Sequence, residues 1–429
     1  MDSVQISPAM SLRGEFSSPP DKSISHRAVM FSSLAKGRSV VKNFLRAQDT
    51  ESTMNAFRSL GVQIEDRGDT LLIDSRGLRG LTEAHDVIDC GNSGTTIRLI
   101  SGVLAGNPFF SVLTGDESLR SRPMGRVIKP LSLMGADISA RAEDRYPPLA
   151  IRGGRLNGIA YEMPIASAQV KSSVILAGLY AEGETVVVEP AKSRDHTERM
   201  LPAFGADLVV DGLTVRVRPG SELLARDTEV PGDFSSAAFF ITAALITGGS
   251  EILARNVGMN PTRTGLLHAL GKMGAEVTIL NMREVSGEPV ADILCRGGSR
   301  LRATDITGEE IPALIDEFPV LCVAAAYAEG TTTIRGAGEL RVKESDRIAS
   351  MASELGKMGA AVEEFPDGLS ITGADSLKGA VVESHGDHRI AMSMAVAGLA
   401  AQGTTTINGA AAVGISFPSF FDIIRRLST

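Results

Sequence analysis

The chain has 429 residues, 43% of them hydrophobic, and a formal net charge of −8. This length exceeds what one hydrophobic core usually serves and favours two lobes, and the mildly acidic charge argues against a broad surface for nucleic acid. The three cysteines are scattered and lack CxxC spacing, which argues against a disulfide framework and a zinc site.

The first residues show no basic segment followed by an apolar one, so the sequence does not predict a secretory signal. Polar residues interrupt every apolar run before it reaches the roughly 18 residues of a membrane span. We therefore expect a cytoplasmic protein without a membrane partner.

A polar loop followed by an apolar helix opens the first repeating unit. The prolines at 19–20 force a turn, and either Ser23 or Ser25 can cap the helix that follows. Lys22 and Arg27 lie beside the start of this helix. Free N–H groups and the positive end of the helix dipole favour an anion at the same place. The stretch therefore predicts an anion-binding site.

The same unit returns five more times along the chain. Each copy has a polar opening, an Ala-rich apolar helix, a glycine and a β-branched strand, and a more polar helix ending at a glycine follows it. The spacing is roughly 70 residues, as in other repeat architectures, and predicts six βαβαββ repeats. The six apolar helices begin near Lys22, Gly94, Ser167, Asp233, Asp316 and Asp387.

Three repeats in each of two lobes is the natural division of this α/β (α+β) chain. We expect residues 21–230 in the first lobe, and residues 1–20 with 231–429 in the second. The last repeat lacks two strands, and the strand-like segments at 4–6 and 11–16 can supply them, so residues 1–20 are expected against that repeat. The N-termini of the buried, parallel helices are expected to point into the cleft between the lobes.

Several polar residues at these helix starts have two interpretations. The glycines around Gly94 favour either a tight turn or close approach of a ligand. Arg122 and Arg389 are either solvated or anion-binding, and Asp316 is either a partner of the helix dipole or a general base. The cluster Lys343, Glu344 and Arg347 can equally form a surface salt-bridge helix.

Jointly these residues favour one cleft for a pair of substrates that carry phosphate and carboxylate groups. Six positive helix ends and the side chains of Lys22, Arg122, Lys343, Arg347 and Arg389 would face that cleft. Asp316 and Glu344 then remain for proton transfer. The sequence has no Walker-type phosphate loop.

At this point the motifs resemble a known family, the 5-enolpyruvylshikimate-3-phosphate (EPSP) synthases, or 3-phosphoshikimate 1-carboxyvinyltransferases. The similar stretches span nearly the whole chain in the family's order. They are DKSISHR at 21–27, GNSGTTIR at 91–98, SRP at 121–123, SAQVK at 167–171, RDHTE at 194–198, NPTR at 260–263, DEFP at 316–319, LRVKESDR at 340–347 and GDHRIAM at 386–392.

The resemblance implies transfer of the carboxyvinyl group of phosphoenolpyruvate to the 5-hydroxyl of shikimate 3-phosphate, with release of phosphate. The family works by addition and elimination in the shikimate pathway to aromatic amino acids, and it needs neither a metal nor an organic cofactor. A monomer is expected. The implied partners are small molecules only.

The resemblance also implies roles for individual residues. Asp316 would accept the hydroxyl proton, Glu344 would handle the proton at C3, and Lys22 can share these roles. The residues implied to bind shikimate 3-phosphate are Lys22, Ser23, Arg27, Ser167, Ala168, Gln169, Arg194, Asp316 and Lys343. Those implied to bind phosphoenolpyruvate are Lys22, Gly94, Arg122, Gln169, Arg347 and Arg389.

Two positions depart from the better-known members of the family. Ile415 stands where they carry a lysine, and Leu99 stands where they carry a proline after Arg98. SAQVK, RDHTE and NPTR are similar to the subclass that often tolerates glyphosate.

Two alternative functions remain at the level of the sequence. One is a UDP-N-acetylglucosamine 1-carboxyvinyltransferase, which typically carries a reactive cysteine in the loop that corresponds to residues 116–123. This chain has no cysteine there. The other is a catalytically silent anion-binding protein, which the presence of both Asp316 and Glu344 disfavours.

Overall fold

The computed structural model of the chain describes residues 2–428 and divides into two compact units. The first unit comprises Pro20–Pro231 and Val285–Glu288. The second unit comprises the described residues of Met1–Pro19, Gly232–Glu284 and Pro289–Thr429. Within the described residues, no helix is both long and apolar enough to cross a membrane.

Short strands carry the repeating pattern. They are β1 (Ser3–Ile6), β2 (Arg13–Ser17), β3 (Lys36–Lys42), β4 (Gln63–Asp66), β5 (Thr70–Arg76), β6 (Ile88–Asp89), β7 (Phe110–Thr114), β8 (Asp137–Ala140), β9 (Tyr146–Arg152), β10 (Ala160–Glu162), β11 (Thr185–Val188), β12 (Asp207–Asp211), β13 (Thr214–Arg218), β14 (Thr228–Glu229), β15 (Glu251–Gly258), β16 (Glu276–Val285), β17 (Glu288–Arg296), β18 (Asp305–Ile306), β19 (Thr331–Ile334), β20 (Ala361–Phe365), β21 (Gly368–Thr372), β22 (Val381–Glu383) and β23 (Thr405–Asn408).

Helices alternate with these strands. They are α1 (Lys22–Leu34), α2 (Gln48–Ser59), α3 (Gly94–Ala105), α4 (Glu117–Arg120), α5 (Gly125–Leu133), α6 (Arg141–Asp144), α7 (Ala168–Gly178), α8 (His196–Met200), α9 (Phe234–Ile246), α10 (Gly265–Lys272), α11 (Ile311–Leu314), α12 (Phe318–Ala326), α13 (Arg347–Lys357), α14 (His388–Leu399) and α15 (Phe420–Leu427), with 3₁₀ helices at Leu201–Phe204, Gly338–Val342 and Ala410–Ile415.

Six small sheets confirm the predicted repeats. The first unit has the strand orders β14-β3-β5-β4, β6-β7-β9-β8 and β10-β11-β13-β12. The second has β16-β17-β15-β2, β18-β19-β21-β20 and the three-stranded β1-β23-β22. In every sheet two strands are parallel. In four sheets the segment between the two parallel strands contains a buried helix, as α3 lies between β6 and β7. In the other two sheets, β14 pairs with β3 and β2 pairs with β15 across distant parts of the chain. The result is the predicted α/β architecture of βαβαββ units.

The two N-terminal strands join different repeats. β1 pairs antiparallel with β23 in the last repeat, with Ser3 opposite Asn408. β2 instead pairs parallel with β15 in the fourth repeat, with Arg13 opposite Glu251. The expectation that all of residues 1–20 lie against the last repeat is therefore wrong for β2. The physical reason is that β14, the strand just before the fourth repeat, pairs with β3 in the first unit, so β2 fills its place.

Each unit has its own core around three apolar helices, which are α1, α3 and α7 in the first and α9, α12 and α14 in the second. All nine residues of α12 are buried. The ring of Phe240 lies 4.6 Å from that of Phe16 and 5.3 Å from that of Phe420, centroid to centroid. These contacts join β2, α9 and α15, and burial of each such ring contributes roughly 1.5–3 kcal/mol.

Polar side chains cap the starts of five of these helices. On α1 the cap is Asp21, whose carboxylate accepts the N–H of Ile24 at 2.8 Å, so the prediction of a Ser23 or Ser25 cap is wrong. The chain already enters the helix at Lys22, which leaves Asp21 at the capping position. The other capping side chains are those of Ser93, Ser167, Asp233 and Asp387.

Candidate active site

Nine of the predicted substrate-binding residues belong to the first unit. They lie in or beside the starts of α1, α3, α7 and α8, and in the loop between α4 and α5. They are Lys22, Ser23, Arg27, Gly94, Arg122, Ser167, Ala168, Gln169 and Arg194.

Arg27 is buried, and its guanidinium is fixed by three elements. Its Nε donates to Thr197 Oγ1 at 2.8 Å, and its Nη2 donates to Ser172 Oγ at 2.9 Å. Its Nη1 donates to the carbonyl of Ser23 at 3.0 Å. Burial lowers the pKa of Arg27 to about 10, against the opposing effect of Glu198. Arg27 is therefore a protonated, immobilised cation at neutral pH.

Lys22 is the first residue of α1, and its Nζ lies 3.0 Å from Asp49 Oδ2 in the first turn of α2. The side chain of Lys22 is 22% exposed and that of Asp49 is 11% exposed. The ammonium therefore keeps access to solvent while Asp49 holds it in place. The sequence did not identify Asp49 as its partner.

Two guanidinium groups flank Gly94. A Cβ atom at this position would lie 3.2 Å from Arg98 Nη1 and 3.3 Å from Arg122 Nη1. A side chain would therefore crowd both cations, whereas glycine leaves the backbone accessible. Arg122 Nη2 is also fixed, since it donates to Asn92 Oδ1 at 2.6 Å.

Arg98, which the sequence did not assign to the site, orients the amide of Gln169. Its Nη1 donates to Gln169 Oε1 at 2.6 Å, and Gln169 Nε2 donates to Thr95 Oγ1 at 3.1 Å. These bonds tie the start of α7 to that of α3. A charged residue in the fifth place of an apolar helix was the available signal.

A buried hydroxyl chain links α1, α2 and the start of α3. His26 Nδ1 lies 2.6 Å from Thr53 Oγ1, which lies 2.6 Å from Thr96 Oγ1. Thr96 Oγ1 donates to the capping hydroxyl of Ser93 at 2.7 Å. Burial lowers the pKa of His26 to about 3; Asp49 opposes this, whereas Lys22 and Arg27 add to it. His26 is therefore neutral at pH 7 and positions the helix start.

His26 predicts a specific acid sensitivity. Because the unfolded chain protonates this imidazole below about pH 6.5 while the folded chain does not, the unfolded state binds more protons. The free energy of unfolding of the wild type should fall as the pH falls from about 6.5 to 4. In His26→Gln the free energy of unfolding should fall less steeply over this range. Urea titrations at several pH values measure it, with exposed His85→Gln as the control. Equal slopes in His26→Gln and the wild type would contradict the prediction.

The second unit brings together Asp316, Glu344, Arg347 and Arg389, together with Asp387. Arg347 is 1% exposed, and its Nε lies 2.8 Å from Asp387 Oδ2. Its Nη2 lies 2.7 Å from Glu344 Oε2, and its Nη1 lies 3.4 Å from Asp316 Oδ1. One buried guanidinium therefore faces three carboxylates.

Asp316 lies between two arginines in the turn from α11 to α12. Its second oxygen, Oδ2, lies 3.3 Å from Arg389 Nη2, and its carbonyl accepts a bond from Arg389 Nη1 at 3.1 Å. The Asp316 side chain is 16% exposed. The carboxylate of Asp316 is therefore fixed in direction and remains accessible to solvent.

Burial and neighbouring charges shift the pKa values of Asp387 and Lys343, which lie near Arg347. Burial favours the neutral form of Asp387, but the charges of Arg347 and His388 and a hydrogen bond from Arg347 together lower the pKa of Asp387 below its usual value. Burial also lowers the pKa of the nearby Lys343 ammonium, although Glu339, Asp316 and Glu344 act in the opposite direction. Asp387 therefore remains ionised beside Arg347 at neutral pH.

The structure thus assembles the predicted residues into two sets, one in each unit. That both sets face one cleft stays a prediction. Ile415, at the position of the family's lysine, ends the 3₁₀ helix Ala410–Ile415 and is partly buried. The sequence missed Asp49, Arg98 and Asp387 because each acts through a partner distant in the chain.

Comparisons with known proteins support the same family. The family model described as EPSP synthase (3-phosphoshikimate 1-carboxyvinyltransferase) matches residues 6–424. A 3-phosphoshikimate 1-carboxyvinyltransferase of Geobacter sulfurreducens is 57% identical over 428 residues, which cover 100% of both chains. One of Thermodesulfovibrio yellowstonii is 55% identical over 424 residues, covering 98% of this chain and 99% of that one.

A solved structure is similar throughout. EPSP synthase from Acinetobacter baumannii is 46% identical and superposes with a TM-score of 0.91, covering 100% of this chain and 98% of that one. Sequence and fold therefore agree over the full length, and the chain belongs to the EPSP synthase (3-phosphoshikimate 1-carboxyvinyltransferase) family.

Proposed function

We propose that the protein transfers the carboxyvinyl group of phosphoenolpyruvate to the 5-hydroxyl of shikimate 3-phosphate and releases phosphate, a step of aromatic amino acid biosynthesis. The observation that carries the proposal is Asp316, held between Arg347 and Arg389 with Glu344 beside them. The fixed cations can bind the anionic groups of both substrates. The carboxylate among them can take the proton of the acceptor hydroxyl.

Cations and helix starts bind the two anions in this proposal. Lys22, Ser23, Arg27, Ser167, Ala168, Gln169, Arg194, Asp316 and Lys343 bind shikimate 3-phosphate. Lys22, Gly94, Arg122, Gln169, Arg347 and Arg389 bind phosphoenolpyruvate. The fixed guanidinium of Arg27 supports a phosphate contact, because it needs no reorganisation when the anion arrives.

Asp316 removes the proton of the 5-hydroxyl, whose oxygen attacks C2 of phosphoenolpyruvate. The C2–C3 double bond takes a proton at C3, which gives a tetrahedral intermediate. In the second step the C2–O bond to phosphate breaks, and loss of a C3 proton restores the double bond. Lys22 and the second carboxylate, Glu344, serve the proton transfers.

Glu344 starts from an ion pair with Arg347 at 2.7 Å. The carboxylate of phosphoenolpyruvate competes for the same guanidinium. Its arrival would separate Glu344 from that cation, which favours proton uptake by Glu344. This exchange supports a role for Glu344 at C3.

The alternatives are separated by one assay. Phosphate release from phosphoenolpyruvate should depend on shikimate 3-phosphate and should not occur with UDP-N-acetylglucosamine. Release with the UDP-sugar would favour the related transferase, and no release with either acceptor would favour a silent anion-binding protein. The absence of cysteine at 116–123 argues against the UDP-sugar transferase, and the presence of both Asp316 and Glu344 argues against a silent protein.

We further propose weak inhibition by glyphosate, because SAQVK, RDHTE and NPTR are similar to the tolerant subclass and Ile415 replaces a lysine. Inhibition competitive with phosphoenolpyruvate, at concentrations near its KM, would contradict this. A cytoplasmic location, a monomeric state and independence from cofactors stay predictions.

A further inference from the structure

A buried cluster of three charges lies in the first unit. Lys171 Nζ is 2.8 Å from Glu189 Oε2 and 2.6 Å from Glu198 Oε1. The side chains of Lys171 and Glu189 are 0% exposed, and that of Glu198 is 2% exposed. Buried ion clusters seldom stabilise a fold more than apolar side chains of similar size would, so this one calls for another explanation.

The cluster holds the segment that leads to Arg194. Glu189 Oε1 accepts the backbone N–H of Ser193 at 3.2 Å and also a short bond from the Ser193 hydroxyl. Lys171 Nζ donates to the carbonyl of Ser193 at 3.4 Å. The backbone N–H, the hydroxyl and the carbonyl of Ser193 are therefore all held, immediately before Arg194.

The same elements hold Arg27. Two of its three partners are Ser172, which follows Lys171 on α7, and Thr197, which precedes Glu198 on α8. The hydroxyls of Ser172 and Thr197 lie 2.7 Å apart. The Lys171–Glu198 ion pair therefore joins the two helices one residue away from the bonds that orient Arg27.

We propose that Lys171, Glu189 and Glu198 are positioning residues that set Arg27 and Arg194 for the phosphate of shikimate 3-phosphate. The inference rests on the proposed function. The cluster has no route to solvent or substrate of its own, so it acts through the two arginines. A misplacement of such groups by about 1 Å is enough to weaken binding strongly.

The test is a double substitution that leaves the net charge unchanged. In Lys171→Met/Glu198→Gln one positive and one negative charge are lost together, and Glu189 keeps its bonds to Ser193. We expect the Kd of shikimate 3-phosphate, measured by calorimetry without phosphoenolpyruvate, to rise about tenfold, or about 1.4 kcal/mol. The KM of phosphoenolpyruvate at saturating shikimate 3-phosphate should change less than about twofold.

The matched control is Arg155→Met/Glu182→Gln, which removes an ion pair of the same unit whose side chains are 87% and 60% exposed. It should leave the Kd unchanged. A Kd within about twofold of the wild type in the folded Lys171 variant would overturn the proposal and show a purely structural cluster.

A milder variant keeps the proposal testable if the double variant does not fold. Glu198→Gln removes a negative charge near Arg27, so charge alone predicts tighter binding of the dianion. Loosened positioning predicts weaker binding, with a Kd at least about threefold higher than that of the wild type. Unchanged or tighter binding would overturn the proposal. A wild type that does not bind shikimate 3-phosphate would instead refute the proposed function itself.

Discussion

Replacement of Asp316 by alanine is expected to lower kcat by about 100-fold or more, as for other losses of a proton-transfer group. The carboxylate is held on both sides, by Arg347 at 3.4 Å and Arg389 at 3.3 Å, so no other acceptor can take the same place and direction without rearrangement. The KM of phosphoenolpyruvate should not rise, because the substitution leaves both arginines with less competition for an anion.

Initial rates with each substrate varied in turn separate kcat from the two KM values. A matched control is Glu310→Ala, which removes a carboxylate at the start of α11 that pairs with Lys272 in the same unit. Its kcat should stay near that of the wild type. Near-normal turnover of Asp316→Ala would refute the role of Asp316 as proton acceptor, and a rise in the KM of phosphoenolpyruvate with normal kcat would point to binding instead.

The repeats could be predicted because their signal is local. An apolar helix such as α12, buried on every side, shows in a run of consecutive apolar residues, and the glycine and β-branched strand that follow mark its end. The pairing of β14 with β3 had no such signal. β14 has only two residues, Thr228 and Glu229, and its partner lies far away in the chain. Because β14 pairs with β3, β2 pairs with β15 in the fourth repeat, which is why the predicted position of β2 in the last repeat is wrong.

The sequence predicted which residues form the site, which stays a prediction, but it did not predict their contacts. Motif resemblance pointed to Arg27 and Asp316, but it carried no information about what fixes them. Asp387 could pass for a simple helix cap, although it also neutralises Arg347. A charge within an apolar helix, as at Lys171, indicates a buried partner, but the pattern does not identify that partner.

Arg347→Met should reduce the free energy of unfolding by about 3–5 kcal/mol near pH 7.5, because it leaves the buried carboxylate of Asp387 without its cation. Arg347 is 1% exposed and contacts Asp387, Glu344 and Asp316. The matched control is Arg341→Met, six residues earlier. Its side chain is 26% exposed and pairs with Asp346 and Glu364, so its loss should cost no more than about 1 kcal/mol. Urea unfolding of the three proteins provides the comparison.

The pH dependence separates lost charge pairing from lost packing. In the wild type the pKa of Asp387 is lowered, so its contribution to stability is complete at neutral pH and is lost as the pH falls through the folded value. Without Arg347, burial raises the pKa of Asp387 instead, and protonation relieves the unpaired charge. The difference in unfolding free energy between Arg347→Met and the wild type should therefore shrink from about pH 7.5 to 5. A difference that does not change with pH would mean that packing of the long side chain, and not its charge, holds α13 against the start of α14.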